Sequence, residues 1–138
     1  MSDNTDPELA AAAEAAVATA QAFVTAFSAQ DYEALAATLN YPHVRLAGGR
    51  FFTFDDAEAF IERNRRNVPR LVEENFGYSR LRELEPIQVG PDKVHLRIIN
   101  DRHHPDGEVY MTFNTLWIAT LQEGHWGIQF RSSYLGLA

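Results

Sequence analysis

The stretch from Glu108 to Ala138, EVYMTFNTLWIATLQEGHWGIQFRSSYLGLA, constrains this chain more than any other. Val109 to Leu121 is dense in β-branched and aromatic residues, and Glu123-Gly124 suits a tight turn. From His125 onward, Trp126, Ile128 and Phe130 recur at every second position. The pattern predicts a long β-hairpin. An apolar hairpin of that length is not stable alone in water, so another element must cover it. The alanine-rich segment at the opposite end carries Ala13, Ala16, Val17, Ala20, Phe23, Val24 and Phe27 at helical spacing, and is the candidate cover.

The remaining elements follow from local signals. Asp6-Pro7-Glu8 is a helix start, and that helix is expected to run to about Ala29. Asp31 caps a short second helix, which Asn40-Tyr41-Pro42 stops. Short strands over His43 to Ala47 and Arg50 to Phe54 flank a Gly48-Gly49 turn. A third helix starts at Asp55-Asp56 and reaches about Asn67; Pro69 interrupts it, and a further turn or two follows to Asn75. Strands are expected from Tyr78 to Val89 and from Lys93 to Asp101, ahead of the closing hairpin. Helices set apart from a run of strands predict an α+β domain, with the helices packed on a curved, mainly antiparallel sheet. At 138 residues the chain reads as one domain, with an ordered core from about 6 to 134.

Charge and composition narrow the function classes. A net charge of −7 with no basic stripe argues against nucleic acid. Arg63, Arg65, Arg66 and Arg70 cluster, but Glu58, Glu62, Glu73 and Glu74 surround them, which reads as the solvated face of a helix. Without cysteine there is no disulfide, thiolate nucleophile or zinc-thiolate site. The acidic start MSDNTDPE is unlike a secretory leader, and the alanine run is broken by Glu14 and Gln21. No membrane association is expected, and the expected location is the cytoplasm. Esterase, phosphate-loop, zincin and dinucleotide motifs are absent from the sequence.

The order of the opening amphipathic helix, the helix ending in Asn40-Tyr41-Pro42, the Gly48-Gly49 hairpin, the helix from Asp55 and the last strands with Leu116-Trp117-Ile118 and Gly124-His125-Trp126-Gly127-Ile128 resembles the nuclear transport factor 2-like superfamily, in its SnoaL-like and ketosteroid-isomerase-like branch. The resemblance spans about Asp6 to Tyr134. It implies a cone-shaped, cystatin-like fold, three N-terminal helices on the sheet, an open pocket and usually a homodimer. It does not imply one activity.

Candidate site residues fall on strand faces. His43 and Arg45 share one face of their strand. They could serve proton transfer beside a carboxylate or enolate, with Tyr41 or Arg45 stabilising an oxyanion, or they could anchor the strand. The ketosteroid-isomerase branch places an aspartate base just after the second helix; here His43 is the nearest ionisable residue. Leu96, Ile98 and Asn100 are expected to face inward, with Asn100 a polar group in the pocket, while His95, Arg97, Ile99 and Asp101 face solvent or a partner. Phe23 and Phe27 would fill the interior. Val109, Met111, Phe113, Thr115 and Trp117, together with Trp126, Ile128, Phe130 and Ser132, are expected as core and pocket wall. Tyr110, Thr112, Asn114, Leu116, Ile118, Thr120, Gln129 and Arg131 fall on the opposite face, a plausible dimer surface. Arg131 could meet an anionic ligand at the mouth or pair with a neighbouring strand. Asp101, His103, His104 and Asp106 lie close on one turn, yet no second ligand pair accompanies them, so no metal is expected.

The expected function is therefore a pocket for a small hydrophobic or carboxylate-bearing molecule. Its catalytic version is a cofactor-independent isomerase, cyclase or dehydratase using His43 as acid/base. The alternative is a non-catalytic dimeric domain that binds a ligand or a protein.

Overall fold

A computed structural model describes residues 6–135, with the side chain of Leu135 outside the description. Residues 1–5, part of the start on which the expectation about a secretory leader rests, lie outside it. Four helices form where caps and apolar spacing coincide. α1 (Pro7–Ala29) starts at Asp6, whose carboxylate accepts from the Glu8 amide at 2.9 Å, and ends at Gln30 in the left-handed region. Its buried stripe is Ala12, Ala16, Ala20, Phe23 and Val24, so small residues bring the helix close to the sheet and bulk arrives only in its last turns. The helix has the length and hydropathy of a membrane span, but this stripe is packed on the sheet. α2 (Tyr32–Ala37) and α3 (Ala57–Arg66) are capped by Asp31 and Asp56. α4 (Val68–Glu73) differs from expectation: Pro69 opens it. In a first helical turn the missing N–H of proline costs no hydrogen bond.

Six strands make one mixed sheet: β1 (Leu39–Ala47), β2 (Arg50–Phe54), β3 (Tyr78–Val89), β4 (Lys93–His103), β5 (Val109–Gln122) and β6 (His125–Leu135). Their order is β2-β1-β6-β5-β4-β3. Among the described residues only the β1–β6 pair is parallel. The α+β architecture and mainly antiparallel sheet are thus as the sequence implies, although β1 begins at Leu39 rather than His43. α1 covers the concave side, and Leu35, Leu96, Ile98, Trp117, Ala119 and Ile128 join its stripe in the core.

Two irregularities redirect side chains. Along β5–β6, Ile118 pairs with Phe130 while Ala119 pairs with Ile128, so Gln129 is an extra residue. A one-residue insertion inverts which face every later side chain takes. Phe130 and Ser132, expected on the pocket wall, pair instead with Ile118 and Leu116 on the outer face. Arg131, expected outside, pairs with Trp117 and points inward. Between β4 and β5, Arg102 pairs with Met111 but His103 with Val109, which leaves Tyr110 as the extra residue. Its hydroxyl reaches Glu74 at 2.6 Å instead of staying on the outer face.

Candidate functional site

The concave side of the sheet, α1, α3 and α4 enclose a cavity of about 390 Å³. That volume suits a small organic ligand. Its apolar wall is aromatic. Phe23 meets Trp117 edge-on with ring centroids 4.7 Å apart, and Phe54 meets Phe60 at 5.2 Å. Phe27, Phe52 and Phe113 complete it.

The polar wall is strongly one-signed. Arg45, Arg63, Arg70, Arg102 and Arg131 line the cavity, with Glu74 as the single acidic residue. Glu74 is already engaged: Arg102 donates to it at 3.0 Å, Tyr110 at 2.6 Å, and Arg70 lies 3.7 Å away. Burial, then the bond to Glu74, pushes the Tyr110 phenol up to about 12. Arg102 also lies over the rings of Phe113 and Phe27, at 4.9 and 5.3 Å. Arg63 lies over Phe52 at 5.1 Å, at the exposed end of the cavity.

Arg45 and Arg131 are the unusual members. They are register partners on the adjacent strands β1 and β6, both directed inward. Among the described residues neither has a carboxylate within ion-pair distance, and the Arg45 Nε is buried without any hydrogen-bond partner. Desolvation first, and then the neighbouring arginines, hold both guanidinium groups below their ordinary range. Like charges brought side by side in a partly desolvated site repel one another. Among the described residues no acidic group stands beside either arginine to offset that repulsion.

His43 lies behind this pair. It is fully buried, Nδ1 donates to the Ile128 carbonyl at 2.9 Å, and Nε2 accepts from Arg131 Nε at 3.0 Å. Burial, followed by the charge of Arg131, pushes its pKa down to about 3, with the Ile128 bond opposing the shift and Arg45 adding to it. The ring is therefore neutral at neutral pH, and both of its nitrogens are in use. It does not reach the cavity wall. The reading of His43 as acid/base toward a cavity ligand is corrected: a ring that spends both nitrogens on protein partners has none left for a substrate. Tyr41 is corrected too. Its hydroxyl donates to the Ala36 carbonyl at 2.9 Å, away from the cavity, and burial pushes the phenol up to about 12.

Of the other expected residues, Phe23, Phe27, Asn100, Phe113, Trp117, Arg45 and Arg131 all line the cavity. Asn100 Oδ1 is buried without a partner. Trp126 packs against the core but is not on the cavity wall. Arg131 accepts neither of its expected roles at the mouth or in a strand salt bridge; it sits deeper, over Phe23 at 5.1 Å. Asp101 holds Arg82 through two bonds of 2.8 and 2.9 Å, while His103 and His104 each bond a backbone carbonyl, so the turn does not gather them around one point. Sequence reasoning missed Arg63 and Arg70, which leave the solvated helix face to join the cavity, and Arg102. Arg102 was within reach, because it continues the inward alternation of Leu96, Ile98 and Asn100.

No protein-family model matches the sequence, and no match was found among curated proteins. Solved structures do resemble it. A nuclear transport factor 2-like protein with a cystatin-like fold from Novosphingobium aromaticivorans superposes with a TM-score of 0.73 at 15% identity, over 92% of this chain and 83% of that one. A ketosteroid isomerase-like protein from Erwinia carotovora atroseptica gives 0.64 at 21% identity, over 96% and 99%. A nuclear transport factor 2-like protein of unknown function from Shewanella oneidensis gives 0.68 at 14%, over 88% and 97%. The class is thus an α+β protein whose curled sheet and helices enclose a cavity. Within it, this chain has the nuclear transport factor 2-like, cystatin-like fold.

Proposed function

We propose that this protein binds a small organic anion with an apolar, ring-sized body, of the carboxylate-bearing kind, inside its cavity. The observation that carries the reading is the inward pair Arg45 and Arg131, adjacent in register with no carboxylate beside either among the described residues. An anion would neutralise charge that the protein leaves uncompensated, and the Phe23, Trp117 and Phe113 rings would cover its body. Should the cavity also perform an isomerase, cyclase or dehydratase reaction, the chemistry its wall supports is stabilisation of a developing oxyanion by arginine. His43 would then act through Arg131 instead of exchanging a proton with the substrate. The reading needs no cofactor. It also fits a soluble cytoplasmic homodimer joined through the outer sheet face, where Leu116, Ile118 and Phe130 remain half-exposed.

Isothermal calorimetry with 1-naphthoate and its neutral isostere 1-naphthamide tests this. Charge-assisted hydrogen bonds contribute about 1.5–3 kcal/mol, so naphthoate should bind about tenfold tighter or more. Equal affinity for the two, or no binding of either, would refute an anion site.

A further inference from the structure

The two deep arginines say more about the head group than that it is negative, an inference that rests on the anion-binding reading. We propose that Arg45 and Arg131 form a seat for a doubly charged head group, with His43 as the positioning residue that sets Arg131 in it. The charge count is the first argument. A single carboxylate beside two register-paired guanidinium groups neutralises one and leaves its neighbour uncompensated. Two negative charges match the pair. The donor count is the second. His43 donates through Nδ1 to the Ile128 carbonyl, which makes Nε2 an acceptor, and that acceptor takes the Nε–H of Arg131. The terminal N–H groups of Arg131 make no bond to the described residues and remain for a ligand. Such a fork of donors suits a head group with several anionic oxygens. The approach is the third. The ionisable groups around the seat are His43 on β1, Arg63 on α3, Arg70 and Glu74 at α4, and Arg102 on β4, and the only acid among them is already bound to Arg102 and Tyr110.

Phosphate monoesters and vicinal dicarboxylates share this chemistry. Calorimetry at pH 8 with 1-naphthyl phosphate, naphthalene-1,2-dicarboxylate and 1-naphthoate separates them. At least one dianion should bind tenfold or more tightly than naphthoate, and the tighter of the two identifies the head group. If naphthoate binds as well as both, the seat takes one charge; the inference fails while the anion-binding reading stands. If no anion binds, both fall. A wild-type pH series adds a second measurement. Any advantage of naphthyl phosphate over naphthoate should shrink from pH 8 to 5.5, as the phosphate dianion takes up a proton near pH 6 and becomes a monoanion. Titration of the cavity wall would move both ligands together, and a constant ratio would overturn the proposal for phosphate. For His43, Gln can still present an acceptor to Arg131, whereas Asn can keep only the bond to Ile128. His43→Gln should retain the dianion preference and His43→Asn should lose it. Identical behaviour of the two variants would remove His43 from the proposal, and the wild-type comparisons stand even if a variant does not fold.

Discussion

Replacing Arg45 by methionine should make the ligand-free protein more stable while it weakens ligand binding. Arg45 makes no ion pair among the described residues, its Nε is buried without a partner, and Arg131 is its register neighbour. Removing it therefore orphans no donor or acceptor. Methionine keeps the unbranched apolar stem that packs beneath the guanidinium. What disappears is a desolvated charge and its repulsion with Arg131. Replacing buried ions by apolar residues of similar volume gains up to about 1–4 kcal/mol. We expect the lower part of that range, about 1–3 kcal/mol, because the cavity retains access to solvent. For a domain of this size each kcal/mol moves Tm by roughly 4 °C, so a rise of about 4–12 °C should follow. Urea and thermal unfolding at pH 7.5 must be run in a buffer free of phosphate and sulfate, since any bound anion stabilises the wild type by mass action. In the same buffer, saturating 1-naphthoate should raise the Tm of the wild type and move that of the variant far less. A variant destabilised by about 1 kcal/mol or more, with naphthoate affinity retained, would show that Arg45 is a structural residue and refute the reasoning.

Two further outcomes rest on the packing. The His43 pKa is pushed down to about 3 in the fold, against about 6.5 in the unfolded chain. Between those values the unfolded state binds a proton that the folded state refuses, so the stabilisation is complete above pH 6.5 and is lost as pH falls toward 3, by up to about 1.4 kcal/mol per pH unit. Urea midpoints from pH 8 to pH 4 should accordingly fall more steeply for the wild type than for His43→Gln; parallel curves would contradict a neutral buried His43. Gly127→Ala places a Cβ 2.6 Å from both Asn40 N and Leu39 C, which are backbone atoms of the parallel partner strand β1. The strands must separate, and a loss of about 3 kcal/mol or more in urea unfolding is expected, with a near-neutral result excluding that close approach.

Much of this protein is written locally. Asp6, Asp31 and Asp56 cap helices because a carboxylate next to free amides is favourable whatever lies elsewhere in the chain. Alternation in β4 sends Leu96, Ile98 and Asn100 inward, and Arg97 outward to Glu83 at 2.6 Å, because successive side chains of a strand take opposite faces. Gly48 and Gly49 turn the first hairpin with positive φ values of 60° and 74°. These facts suffice for the order of elements and the α+β class. The site is different. Counting by twos through β6 puts Arg131 outside, and only the pairing of Ala119 with Ile128 beside Ile118 with Phe130 exposes Gln129 as the residue that reverses the count. Arg63 and Arg70 look solvated among their glutamates until α3 and α4 dock over the sheet and direct them to the same cavity as Arg45 and Arg102. His43 offered two readings in the sequence, and its role depends on Ile128 and Arg131, 85 and 88 positions away. Local sequence determines caps, turns and strand faces because those energies act within a few residues. The convergence of five arginines on a single cavity, with one neutral histidine behind Arg131, depends on register and docking between distant segments, and tertiary structure alone decides those.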